Sequence, residues 1–183
     1  ARQDPKAAHA WYLAQMELEP SSQKHKLELD FNALMYQWGL RNPAEAVAAC
    51  AGEDAHGTYD GWYGLAHLVN SAGHRELLFQ AVAKLDAPNQ KKAWRSIIGA
   101  WADVSPRDAA LWLESQPFGK DQDLQWSVIE RWSRRVEPRE AADYAIRNAE
   151  PTLESKDRAL GMALPMWALV DPQAAGEWLE TVG

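Results

Sequence analysis

The chain has 183 residues, of which 46% are hydrophobic and 25% are charged, and its formal net charge is −7. This composition is typical of globular domains and excludes wholesale disorder and fibrous classes. No apolar run is long enough to span a bilayer, and the first residues do not form a signal peptide. The acidic balance makes nucleic acid and membrane surfaces poor partners. The single cysteine, Cys50, excludes an internal disulfide framework, and the sequence assigns no compartment, cytoplasmic or periplasmic.

Internal repetition is the strongest signal in the chain. Tryptophan occurs ten times, more often than Phe and Tyr together. Six segments align on one anchor position, at steps of 31 to 38 residues: Pro5, Pro43, His74, Pro106, Pro138 and Pro172. A period of roughly 20 to 50 residues is typical of solenoids and propellers. The repeat therefore has to be explained before any single motif.

Each anchor is predicted to open a helix, which we call helix B. Most anchors are prolines that follow a good N-cap residue such as Asp4, Asn42 or Asp171, and proline is favoured in the first helical turn. Helices B should therefore start near residues 5, 43, 74, 106, 138 and 172. Three and six positions after the anchor, small and large side chains share one helical face, as in Ala109 with Trp112.

A second helix, helix A, is predicted before each anchor. Apolar residues recur twelve, nine and five positions upstream, and these offsets mark one face of a helix. They are Phe31, Trp62, Trp94, Trp126 and Leu160; Leu34, Leu65, Ile97, Ile129 and Ala163; and Trp38, Val69, Trp101, Ser133 and Trp167. In the copy with Ser133, the neighbouring Trp132 takes the apolar role. We predict that these residues form the core, together with Cys50.

Segments rich in helix breakers are predicted to form the loops between helix B and the next helix A. They are residues 20–22, 52–61, 87–89, 117–119 and 151–152. Pro165 falls inside the last helix A and should kink that helix or delay its start. Nothing in the chain alternates with period two, so no sheet is expected.

The string W-x4-P-x2-A-x2-W occurs from Trp101 to Trp112 and from Trp167 to Trp178. It resembles tandem helical repeats of bacterial proteins and, more broadly, α-solenoids of the HEAT and tetratricopeptide type. The tetratricopeptide consensus itself is absent, because here the proline opens helix B. The resemblance implies an all-α, right-handed α-solenoid of about five and a half helix pairs spanning residues 1–183. It also implies a non-catalytic scaffold that binds a protein or peptide on its concave face.

Both ends of the chain carry a helix B with apolar side chains, including Trp11 and Leu179. Terminal units of a solenoid need a polar outer surface. We therefore interpret the chain as part of a longer array, with end-to-end self-association as a further possibility. The alternative is that the first helix packs differently, which the long first step of 38 residues allows.

Binding residues are sought among aromatic and basic side chains that the core pattern does not absorb. Trp94 and Trp126 are predicted to begin their helices near the loop edge, where a tryptophan ring can stack on a ligand. Arginines 131, 134 and 135 form the least neutralised basic cluster, and Arg95 lies on a neighbouring helix. The candidates are thus Trp94, Trp126, Arg95, Arg131, Arg134 and Arg135. The alternative reading is structural: tryptophans in the core, and basic residues paired with the acids that border them.

An enzymatic alternative depends on loop acids. Asp54 and Asp60, with His56, His67 and His74, make the one cluster with a metal-like composition, but its spacing matches no known metal pattern. Nucleophile elbows and phosphate-binding glycine loops are absent from the sequence. A small helical hydrolase or lyase using Asp54 and Asp60 is the rival function, and neither a cofactor nor a metal is expected. Weak anion or nucleic-acid binding through Arg131, Arg134 and Arg135 is a third.

Overall fold

The computed structural model describes residues 4–18, 21–52, 61–134, 138–149 and 152–182. Within these residues the protein is all-helical, with eleven α-helices, one 3₁₀ helix and no strand. The α-helices are α1 Pro5–Leu18, α2 Ser21–Arg41, α3 Pro43–Gly52, α4 Trp62–Ala66, α5 Ala72–Val82, α6 Ala87–Ala102, α7 Pro106–Glu114, α8 Gln122–Ser133, α9 Pro138–Asn148, α10 Leu153–Val170 and α11 Pro172–Val182. The 3₁₀ helix His67–Asn70 follows α4 directly. The all-α expectation is confirmed.

Five of the helices B begin at the anchor proline itself: α1, α3, α7, α9 and α11. The N-cap chemistry predicted for them is visible in hydrogen bonds. The Asp4, Asn42 and Asp171 side chains accept from the backbone N–H of Lys6, Glu45 and Ala174 at 3.0–3.2 Å. Ser105, before α7, makes no such side-chain bond. Local capping therefore accounts for where most of these helices start.

Helix α5 departs from the predicted register. It begins at Ala72, so His74 is its third residue, and Ser71 precedes it. The Ser71 hydroxyl and His74 Nδ1 lie 3.0 Å apart, a contact that joins the residue before the helix to its first turn. Buried Leu78 and Val82 match the buried positions of the other helices B when this copy is counted from Arg75 instead of His74. The alignment on His74 is therefore one residue off.

Two of the predicted loops are helical. Ser21 and Ser22 open α2, and residues 87–89 form the first turn of α6, where the Asp86 carboxylate accepts from Asn89 N–H at 3.0 Å. A proline in the first turn is compatible with a helix, so the breaker at position 88 starts the helix instead of ending one. Pro165 lies inside α10, which begins at Leu153, so its start is not delayed. Residues 20, 53–60 and 151 of the predicted loops lie outside the described residues.

The predicted core is largely buried. Of the fifteen positions predicted from helix A, all are buried except Leu34, Trp126 and Leu160, which are half-buried. Trp132 is buried beside Ser133, as predicted for the copy in which Trp132 takes the apolar role. Cys50 is buried, as predicted for a core residue. Among the tryptophans, Trp112 and Trp126 are half-buried and Trp11 is exposed, so the aromatic core reading holds for the remaining seven.

The chain divides into two compact units, residues 1–100 and 101–183. In the first unit, α2 packs against α1, α3 and α4, and α3 packs against α5. In the second unit, α8 contacts α7, α9 and α10, while α10 also contacts α9 and α11. Each helix of the second unit thus packs on its sequence neighbours, and the two helices A, α8 and α10, pack on each other.

Glycine makes one of these packings possible. Gly64 in α4 lies directly against α2, and a Cβ at this position would be 3.0 Å from Asn32 Cα and closer still to the Asn32 carbonyl oxygen. Glycine is the residue that lets two backbones approach this closely. The α2–α4 packing therefore requires glycine at this position.

Candidate functional site

The structure places the six predicted site residues in different surroundings. Trp94 is 5% exposed, and its ring packs edge-on against Phe79 with centroids 5.2 Å apart. Its ring is therefore inaccessible to a stacking ligand in this conformation. Arg95 is exposed on α6 in the first unit, and Arg135 lies outside the described residues. Trp126 and Arg131 lie on α8 in the second unit, and Arg134 directly follows this helix.

Trp126 is the aromatic centre of this surface. Residues 126, 130 and 134 follow one another at steps of four, so they lie along one side of α8. The Arg158 guanidinium of α10 lies over the Trp126 ring, 4.6 Å from its centroid. This geometry is a cation–π contact, and it bridges α8 and α10. We call the group of Trp126, Glu130, Arg134 and Arg158 the Trp126 surface.

Acids pair with the arginines at and beside the Trp126 surface. Arg134 donates to Glu130 at 2.7 Å, and Arg158 lies 4.0 Å from Glu154. Arg131, beside the surface, donates to Asp103 at 2.6 Å. The three arginines thus face three acids, so their formal charges cancel. The sequence predicted Arg131 and Arg134 to belong to the least neutralised basic cluster, whereas Asp103, in the turn between α6 and α7, and Glu130, on α8, lie within ion-pair distance of them.

Comparison with protein-family models, with curated proteins and with solved structures finds no match to this chain. No helix within the described ranges is long and apolar enough to cross a membrane.

The basic residues that follow the anchors serve as ties between successive helices B. Lys6 of α1 lies 3.8 Å from Glu45 of α3, and Arg107 of α7 makes a bidentate contact with Glu140 of α9. In each pair the basic residue lies one position after its own anchor, and the acid lies two positions after the anchor of the next helix B. Arg75 instead donates to the Val69 carbonyl at 2.9 Å. These contacts favour a structural role for the basic residues that follow the anchors over a role in binding an anion.

A double-mutant cycle on Arg107 and Glu140 checks this role. Both side chains are substantially exposed, so water screens the pair, and we expect a coupling free energy of at most about 1 kcal/mol, decreasing with added salt. The measurement is urea unfolding of R107A, E140A and the double variant at two salt concentrations. The pair Arg134 and Glu130, four residues apart on one helix, is the control. A coupling that is absent at both concentrations would contradict the assignment.

A second set of ties was missed in the sequence. Glu114 of α7 accepts from Asn148 of α9 at 3.0 Å and from Arg147 at 3.4 Å. Asp143 of α9 accepts from the indole N–H of Trp178 in α11 at 2.7 Å. The partners are 33 to 35 residues apart, which is the spacing of the repeat itself. An acid recurring one period before a donor is the sequence signal that identifies them.

Tyr144 fills the space beside these ties. Its ring packs against Trp132 with centroids 5.7 Å apart, and its hydroxyl is buried with no hydrogen-bond partner among the described residues. Burial raises the pKa of Tyr144 well above the ordinary value of 10.0, the Glu114 carboxylate adds to this shift, and Arg147 opposes it. The folded protein therefore holds this phenol in its neutral form.

Replacing Tyr144 with Phe should stabilise the protein by about 1 kcal/mol at neutral pH, because a buried hydroxyl without a partner costs roughly 1–3 kcal/mol. The wild-type pKa is raised on folding, so its stability is full below pH 10 and falls as pH rises beyond it, where only the unfolded chain ionises. The Y144F variant should lose that part of the alkaline slope. Urea unfolding at neutral and alkaline pH measures both effects. A destabilised variant with an unchanged slope would contradict the assignment.

The acidic and histidine cluster contributes no metal site within the described parts of the chain. His67 is exposed and packs edge-on against Tyr63 at 5.2 Å, while His74 lies beside Ser71. No group of three His, Cys, Asp or Glu that could hold a metal occurs among the described residues. Asp54, His56 and Asp60 lie outside them, so the residues of the enzymatic alternative stay predictions.

Proposed function

We propose that this chain is a right-handed α-solenoid of about five and a half helix pairs, acting as a non-catalytic scaffold that binds a protein or peptide. The recurrent ties support the solenoid arrangement. Glu114 with Asn148, and Asp143 with Trp178, each link one helix B to the next at nearly the same spacing. Contacts between nearest neighbours at a constant period are typical of solenoids.

The Trp126 surface is the proposed binding site, supplied by the exposed side of helices α8 and α10. At the same register position, Phe31, Trp62 and Trp94 are buried and Leu160 is half-buried, whereas Trp126 is a tryptophan left half-exposed beneath Arg158. Tryptophan and arginine are the side chains enriched at the energetic centres of protein interfaces. This half-exposed tryptophan is the observation that carries the proposal.

The charge balance favours a protein or peptide over a phosphate-rich ligand. Arg131, Arg134 and Arg158 each have an acid within 4.0 Å, so a phosphate would have to displace a carboxylate to bind. A peptide can instead cover the indole ring and exchange hydrogen bonds with both members of an ion pair. The partner is therefore expected to present an apolar or aromatic side chain flanked by charges of both signs.

Selection from a random peptide library tests this proposal. Enriched peptides should shift the amide NMR signals of α8 and α10 around Trp126, and W126A should weaken their binding at least about tenfold, as expected for a residue at an energetic centre. The variant W126F should restore part of the affinity. The matched control is W11A, which removes an exposed tryptophan elsewhere in the chain. Peptides whose binding is unaffected by W126A would refute the surface, and inorganic phosphate that shifts the same signals would favour an anion site.

A further inference from the structure

Helix α1 exposes an apolar stripe. Ala7, Trp11, Ala14 and Leu18 are all exposed, and their spacing of four, three and four residues places them on one side of the helix. Trp11 is 54% exposed and Leu18 is 77% exposed. At the same position, six residues after the anchor, Trp178 of α11 is buried and Trp112 of α7 is half-buried. The tryptophan of the α1 stripe is thus more exposed than its counterparts in α7 and α11.

Helix α11 exposes a complementary face. The position seven residues after the anchor is buried in α3, α7 and α9, where it is Cys50, Leu113 and Ala145. In α11 this position is Leu179, which is 39% exposed, whereas Leu113 is fully buried. Gly176, three residues earlier, is exposed as well, although its counterparts Ala110 and Ala142 are buried.

Two acids on α11 stand where earlier helices B bind the helix that follows them. Glu177 occupies the position of Asp143, which accepts from the Trp178 indole N–H. Glu180 occupies the position of Glu114, which accepts from the Asn148 amide. The face of α11 therefore combines one acceptor from each of two internal contacts, that of α9 with α11 and that of α7 with α9.

We propose that α1 of one copy of this chain docks on α11 of a second copy, head to tail. In the register of the internal contacts, the Trp11 indole N–H donates to Glu177, and the Gln15 amide donates to Glu180. Trp11 and Ala14 then cover Leu179 and Gly176. The inference uses the repeat register of the proposed function and is independent of the Trp126 surface.

The donors on α1 identify the occupant as a second copy. Trp11 stands six positions after its anchor, as Trp178 does, and Gln15 stands ten positions after it, as Asn148 does. Helix α1 thus carries an indole donor and a side-chain amide donor at the positions that the corresponding donors occupy in α11 and α9. Because the two faces differ, the contact is heterologous, so every assembly that does not close into a ring keeps a free head and a free tail. Mass should therefore grow with concentration without stopping at a dimer.

Complementary blocking variants test the proposal by light scattering of size-separated samples over a range of concentrations. The W11E variant blocks the head, L179E blocks the tail, and each alone should lose self-association. Their equimolar mixture should form a species of twice the chain's mass, because one free tail meets one free head. The control is L111E, which changes a leucine on α7 that is even more exposed than Leu179 and should associate like the wild type.

Three results would overturn the proposal. The first is a wild-type chain that stays monomeric at every concentration. The second is a W11E variant that still dimerises, which would mean a symmetric tail-to-tail contact. The third is a mixture of the blocked variants that stays monomeric while the wild type associates. The variant A14E, on the same exposed stripe, repeats the head block where W11E perturbs the helix. Peptide binding at the Trp126 surface should be unchanged in all of these variants, so failure of one proposal leaves the other intact.

Discussion

The variant G64A is expected to destabilise the first unit by about 3 kcal/mol or more. The new methyl group would overlap the carbonyl oxygen of Asn32 and lie 3.0 Å from its Cα, so the atoms that must move belong to the backbone of α2. Overpacking of a core costs about 1–3 kcal/mol where side chains can rearrange, and a backbone has less freedom to do so. Urea unfolding monitored by circular dichroism measures the loss.

The matched control for this prediction is G161A. Gly161 lies inside α10, and a Cβ there would meet nothing within 4 Å. Alanine in a helix interior is favoured over glycine by roughly 0.5–1 kcal/mol, so G161A should stabilise the protein slightly. A loss of stability in G64A together with a gain in G161A would show that the G64A effect arises from the close packing of α4 on α2. If G64A were as stable as the wild type, the close packing of these helices would be refuted.

The variant W101A should cost about 3–5 kcal/mol and melt the neighbouring helices of the second unit. Trp101 is 4% exposed, and its ring lies 5.9 Å from that of Trp112 between centroids. Truncation to alanine removes the packing of a whole indole and leaves a cavity in its place. The measurement is the free energy of unfolding, with hydrogen exchange of the amides in α7 and α8 to locate the melting.

The variant W112A provides the comparison within the same aromatic pair. Trp112 is half-buried, so its ring already contacts water on one side and its truncation should cost clearly less than that of Trp101. An equal loss for both variants would show that burial does not set the cost here. Wild-type stability in W101A would contradict the core assignment and would favour a role for the tryptophans in stacking on a ligand.

Helix starts were predictable because capping is local chemistry. Asp4, Asn42 and Asp171 lie within three residues of the backbone groups they bind, so a short stretch of sequence contains the whole interaction. Where the chain lacks the proline, at His74, the local signal is weaker and the start of α5 was misplaced. Proline alone is also ambiguous, since Pro88 lies in the first turn of α6 while Pro165 lies deep inside α10.

The candidate site was harder to predict because burial depends on partners one period away. Trp94 and Trp126 occupy the same register position, yet Trp94 packs against Phe79 in the core and Trp126 lies half-exposed under Arg158. Similarly, Asp103 neutralises Arg131 from 28 positions upstream. Periodicity predicts which face of a helix is apolar, but it does not state which side chain of the next copy will reach that face.

The period of these ties has a kinetic consequence. The contacts of Asp103 with Arg131, Arg107 with Glu140, and Asp143 with Trp178 join residues 28, 33 and 35 positions apart. Forming each one closes a loop of about the same modest length, so the entropy lost in bringing its ends together stays small and nearly constant. Chains dominated by such short-range pairings have low contact order and fold within microseconds to milliseconds. We therefore expect residues 101–183 to fold rapidly from any nucleated helix pair. We expect unfolding to begin at the least stable helix pair.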